Sequence, residues 1–312
     1  MNEDAARKGL DSTDIGALIQ SLETLGNGGK LTDLQPMLVF AKHADPRVCK
    51  TAILACSNLI RNNLISHFHE LAPAVRQKLG TVMETLVPQV IDEIAKDLYC
   101  TDDPRRVRAL QILGLLKKNP KILELLGKLV QDRDVKVRAT AVSLLGKFVG
   151  PNDQELIMSL LNDKDKRVRA NTVEALERLG NKRLVPILLR FRKDPINRIR
   201  GNVLKALYNL GYKDIEADVL DMLNNPDNFM KASGLWVIAQ VKLQASKFED
   251  LSGFYLLSDN EMVYINSKKA LIAMDTPRAK GFLKHLDSET IEKMTSSPSL
   301  LLGKEKGGQR PG

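Results

Sequence analysis

The sequence predicts an all-α fold, a superhelical stack of helix pairs arranged as one continuous array. Three observations carry this. First, an apolar-basic pair recurs as Val107-Arg108, Val137-Arg138, Val168-Arg169, Ile199-Arg200 and, more loosely, Met230-Lys231, at steps of 30, 31, 31 and 31 residues. A period of this size, built from two helical patterns per unit, marks a solenoid. Second, the stretch after each pair is apolar at helical spacing: Val168, Thr172, Val173, Ala175, Leu176 and Leu179, then Ile199, Val203, Leu204, Ala206, Leu207 and Leu210. Third, aromatics are only 4% of residues and strand-like alternation is absent, so Leu, Val, Ile and Ala must do the packing.

In chain order, residues 1–14 are polar and are expected to fray. Ile15, Leu18, Ile19 and Leu22 predict a first helix, which Gly26-Asn27-Gly28-Gly29 is expected to end. Residues 34–40 and 48–60 predict a helix pair joined by the turn at His43 to Arg47. The interval 60–101 is less regular. Helices are expected near 63–72 and 74–99, with Pro88 dividing the second because a helix interior offers proline no matching N–H bond. From 102 to 245 the repeats are regular, with first helices near 121–130, 153–161, 184–191 and 214–223. An atypical cap is expected at 246–295, with patterns at 248–257, 263–274, 278–286 and 288–294. Residues 296–312 have the composition of a flexible tail.

Within the regular unit each part has a physical role. Asp132, Asp163 and Asp194 precede the second helix, where a carboxylate accepts from unpaired backbone N–H groups. Ala139, Ala170, Gly201 and Ala232 hold a small position suited to close helix approach. Gly180 and Gly211 close their helices in a left-handed conformation. Arg108, Arg138, Arg169 and Arg200 each sit one residue beyond a core position and beside the Asp-rich turn. They are expected to bond turn carbonyls or to pair with Asp132, Asp134, Asp163 or Asp165, a role suited to a planar guanidinium. Their alternative use, tracking phosphates, would make binding salt-sensitive.

Asp163, Asp165, Val168, Arg169, Ala175, Leu176 and Gly180 together resemble the HEAT repeat, especially the short bacterial class shared with phycobiliprotein lyase-like proteins. The resemblance is firm over roughly 102–245. It implies a HEAT-like or ARM-type solenoid of antiparallel helix pairs wound as a right-handed superhelix, and a role in binding macromolecules. It carries over no catalytic residue. It also implies that the second helices line a concave face, which would present Lys147, Asn171, Glu174, Arg178, Asn202, Lys205, Asn209, Trp236 and Gln240.

Lys and Arg total 47 against 38 for Asp and Glu, a formal charge of +9, which steers towards acidic partners without choosing among them. Cys49, Cys56 and Cys100 form no Cys-x-x-Cys pair, and the first two are expected to be small buried side chains. His67 and His69 alternate on a helix and lack a HExxH context, so no metal site is expected. No cofactor motif or catalytic set is present. The absence of a signal segment and of an 18-residue apolar run predicts a soluble cytoplasmic protein. The expected function is a non-enzymatic scaffold or adaptor that binds another protein through its concave surface. The alternative is nucleic-acid binding in a mildly basic groove, in the manner of HEAT-like DNA-repair enzymes. That alternative wants an acidic group among aromatics, and Trp236 is the only tryptophan.

Overall fold

The computed structural model describes residues 1–148, 150 and 154–284, and all regular structure among them is helical. The chain divides into two units, Met1–Ala175 and Leu176–Gly312. The first unit holds α1 (Glu3–Gly9), α2 (Ile15–Gly28), α3 (Leu34–Leu38), α4 (Pro46–His67), α5 (Pro73–Leu86), α6 (Val90–Leu98), α7 (Asp103–Leu113), α8 (Pro120–Leu129), α9 (Val135–Phe148) and α10 (Gln154–Ser159). It also takes most of α11 (Lys166–Leu179). The second unit has α12 (Val185–Leu189), α13 (Asn197–Asn209), α14 (Glu216–Leu223), α15 (Asn228–Val241), α16 (Ser246–Tyr255) and α17 (Glu261–Met274), with 277–284 also helical. Within the first unit α2 packs on α4, α4 on α7 and α7 on α9; within the second, α13 packs on α15 and α15 on α17. Helices about one repeat apart therefore lie side by side.

The apolar stripe explains the burial. Val168, Thr172, Val173, Ala175 and Leu176 are fully inside, as are Val203, Leu204, Ala206 and Leu207. Each such Leu contributes about 1.5–3 kcal/mol relative to exposure. The one hydroxyl in the stripe is satisfied within its own helix, because Thr172 Oγ1 donates to the Val168 carbonyl at 2.8 Å.

Entry to α4, α9, α11 and α15 is a two-step relay, whose first step α13 shares. A first side chain accepts from a backbone N–H two residues on: His43 from Asp45 at 3.0 Å, Asp132 from Asp134 at 2.9 Å, Asp163 from Asp165 at 2.7 Å, Asp194 from Ile196 at 2.8 Å, and Asn225 from Asp227 at 2.9 Å. The second residue of the relay then caps the helix: Asp45 accepts from Arg47, Asp134 from Lys136 and Val137, Asp165 from Arg167, and Asp227 from Phe229. Ile196 breaks the series, having no side-chain cap to offer. Gly180 and Gly211 adopt φ of 65° and 102°, and Lys242 and Asp275 take the same left-handed position at the ends of α15 and α17.

Several expectations need correction. The helix expected near 63–72 is the end of α4, which runs on to His67 because Leu59, Ile60 and Leu64 continue its buried stripe. The chain does break around Pro88, between α5 and α6. The Gly26-Asn27-Gly28-Gly29 run does end α2, with Gly29 as its C-cap, but the helix does not stop at Gly26. That glycine lies inside the helix, and a Cβ there would stand 2.8 Å from Ala55 Cα. Stacked helices also approach closely at Gly26 and Gly146; of the expected small positions, Ala170, Gly201 and Ala232 are buried and Ala139 is half-buried. Val107, taken as a core position, is also half-buried. Residues 3–9, within the segment expected to fray, form α1. Its Ala6 is fully buried, and Arg7 makes paired bonds of 2.8 and 2.9 Å to Asp33. The pattern at 288–294 and the tail at 296–312 lie outside the described residues.

Candidate binding face

The arginine ladder resolves into paired and unpaired members. Arg138 donates to both oxygens of Asp163 at 3.1 and 3.3 Å and to the Asp132 and Arg133 carbonyls at 2.8 and 3.1 Å. Arg169 donates to the Asp163 and Lys164 carbonyls at 2.8 and 3.2 Å. Arg200 donates to Asp221 at 2.5 Å. Arg138 and Arg200 are buried; the Arg138 fork joins the turn before α9 to Asp163 of the next turn, and Arg200 joins α13 to α14.

Arg108 stands outside this arrangement. The buried Arg106 takes the place expected for it, donating to Asp132 and, at 2.8 Å, to the Leu98 carbonyl. The true register pairs Arg106 with Arg138, Leu110 with Val142 and Gly114 with Gly146. Arg108 is thereby turned towards Phe68.

The face expected to bind is largely bonded to itself. In the first unit Lys147 Nζ donates to the Gly114 carbonyl at 2.6 Å, just beyond α7, where a cation meets the negative end of a helix. Asn171 Nδ2 donates to the Ala139 carbonyl at 2.9 Å, and Glu174 is half-buried beside it on α11. In the second unit Asn202 is buried rather than presented. Arg178, Asn209 and Gln240 are exposed.

One connected network lies in the second unit. Glu177 accepts from Asn209 at 2.7 Å and from Lys205 at 2.9 Å. Lys205 Nζ in turn lies 5.4 Å from the centre of the Trp236 ring. The ring passes over α13 at Gly201, with Cε3 3.6 Å from where a Cβ would be. Trp236 is half-buried, so one part of a large rigid aromatic is held from below and the rest is presented. Glu177 was not foreseen. Its signal is its position one repeat before Asn209, which is visible only once the helices are known to lie side by side.

Among the described residues no group of three or more His, Cys, Asp or Glu is placed to hold a metal ion. His67 Nδ1 lies 3.0 Å from Glu70. Burial pushes the Cys56 thiol up to about 11, away from nucleophile behaviour. Cys49 is half-buried, with its Sγ 3.0 Å from the Ala41 carbonyl. Among the described residues no helix is long and apolar enough to cross a membrane.

The class defined by this geometry is a helical-repeat protein with laterally stitched second helices. A family model described as HEAT repeats matches residues 154–239. No curated protein matches the chain. Among solved structures, an engineered protein is 15% identical over 96% of this chain and 96% of its own, with a TM-score of 0.42. The complex of CpcE and CpcF of phycocyanin lyase from Nostoc sp. is 16% identical over 84% of this chain and 96% of that one, with a TM-score of 0.44. Kap121p is 12% identical, with a TM-score of 0.48, and the match covers 94% of this chain but 39% of Kap121p.

Proposed function

We propose that the protein is a non-enzymatic scaffold that binds another protein through the second-helix face of its carboxyl-terminal unit. The observation that carries this reading is Trp236, presented on α15 and held in one orientation by Lys205, Glu177 and the gap at Gly201. A preordered tryptophan surrounded by polar side chains has the make-up of an interface anchor. Arg178, Asn209 and Gln240 supply polar groups on the same helix row. Nucleic-acid binding is less favoured: of Lys147, Arg178 and Lys205, the cations it would draw on, Lys147 and Lys205 are engaged within the fold.

The test is affinity capture with wild-type protein and with Trp236→Ala, followed by purified binary titration of each protein retained. The reading expects a partner whose affinity falls about tenfold or more in the variant, since anchors of this type contribute ~2 kcal/mol or more. Circular dichroism melts confirm that the variant folds. Partners that bind wild type and variant equally would refute the assignment of this face.

A further inference from the structure

Three elements of the first unit converge on Phe68, at the end of α4. The Arg76 guanidinium, from the first turn of α5, lies 4.4 Å from the ring centre. The Arg108 guanidinium, from α7, lies 5.3 Å from it. Phe68 is buried and both arginines are half-buried. Among the described residues neither arginine is ion-paired. Arg108 donates only to the neutral Gln111, at 2.7 Å. Carboxylates of the adjoining segments are engaged with other groups: Asp97 with Arg105, Asp103 with Arg106, and Glu70 with His67. Glu84 accepts from the Lys117 backbone.

Two cations held against one ring without a counter-charge are unfavourable unless an anion completes them. Burial, and after it the neighbouring Arg76, lower the Arg108 guanidinium below its ordinary value, and no carboxylate offsets them. The buried Arg106 and Arg138 of this unit each have an Asp partner, whereas Arg169, half-buried like Arg76 and Arg108, is satisfied by two turn carbonyls. The ring also fixes both forks, so little side-chain freedom is left to lose on binding.

We propose that Arg76 and Arg108, with Phe68 as their platform, form a carboxylate-binding site for an acidic segment of a protein partner. A carboxylate with two oxygens matches guanidinium forks in geometry and charge. An acidic partner also suits the +9 formal charge of the chain. The proposal takes the protein nature of the ligand from the scaffold reading, but it uses a different surface, so Trp236 has no part in it.

The probe is a fluorescein-labelled hexaglutamate peptide, titrated by anisotropy into the full chain at low salt. Binding that weakens as salt rises is expected, with about a tenfold loss for Arg76→Gln and for Arg108→Gln, the size of one charge-assisted pair. Arg47→Gln, which removes an exposed arginine paired with Asp45, should leave the affinity unchanged, as should Trp236→Ala. Arg108→Gln should also melt no lower than wild type, because it removes a crowded charge. No peptide binding, or an equal loss in Arg47→Gln, would overturn the site. Displacement of the peptide by equimolar inorganic phosphate would overturn the carboxylate assignment in favour of a phosphate group. Loss of peptide binding in Trp236→Ala alone would place the acidic segment on the other face and refute this one.

Discussion

At the scale of single residues, Asp163 concentrates the roles of the turn. It accepts the Asp165 N–H at 2.7 Å and the Arg138 fork at 3.1 and 3.3 Å, while its own carbonyl accepts from Arg169. The Arg138–Asp163 pair is about nine-tenths buried on both sides. Removing one partner leaves a buried charge uncompensated, so Asp163→Ala should destabilise by about 3 kcal/mol. Asp165→Ala removes a cap and a solvent-exposed pair with Arg167 and should cost about 1 kcal/mol. Urea unfolding measures both, and equal losses would show that the inter-repeat fork contributes nothing. The Asp side of these turns was legible in the sequence because a cap depends on a few adjacent residues. The arginine side was only partly so. Both Arg106 and Arg108 lie the right distance from a turn, and the choice between them depends on where α6 ends and offers the Leu98 carbonyl.

At the scale of elements, helix contact is set by missing side chains. In α9, a Cβ on Gly146 would fall 2.5 Å from Ala175 Cβ and 2.6 Å from its Cα. The second distance involves backbone, which cannot turn aside. Gly146→Ala should therefore cost about 1–3 kcal/mol despite its better helix propensity. A gain in melting temperature would disprove the close approach. Gly26 makes the same kind of contact in α2, within the glycine-rich run that ends that helix.

The first helix carries a pH dependence. The Arg7 fork, with the Lys30 N–H, holds the Asp33 carboxyl below the usual range. A depressed carboxylate contributes stability that is present above about pH 4 and lost as pH falls through its folded value. Amide exchange in α1, corrected for intrinsic rates, should accelerate below pH 4 before that in α2. Asp33→Asn should reproduce the loss at neutral pH. Uniform protection of α1 and α2 at low pH would contradict the link.

At the scale of the whole molecule, charge and composition proved less informative than arrangement. The excess of cations suggests an electrostatic groove, yet Lys147 and Lys205 are bonded within their units, and Arg138 and Arg200 join neighbouring repeats. Arg76 and Arg108, both against Phe68, instead have no carboxylate partner among the described residues. By itself the sequence determined the helical class, the repeat period, the Asp caps, the break at Pro88 and the glycine closures at 180 and 211. Those features depend on contacts within a few residues or on spacing along one helix. Only the tertiary structure decided that Arg106 replaces Arg108 in the ladder, that Gly26 and Gly146 are contact points, and that Glu177 ties Asn209 and Lys205 beneath Trp236. Each of these depends on which residues of one helix face those of the next, a register that packing sets and local sequence does not encode.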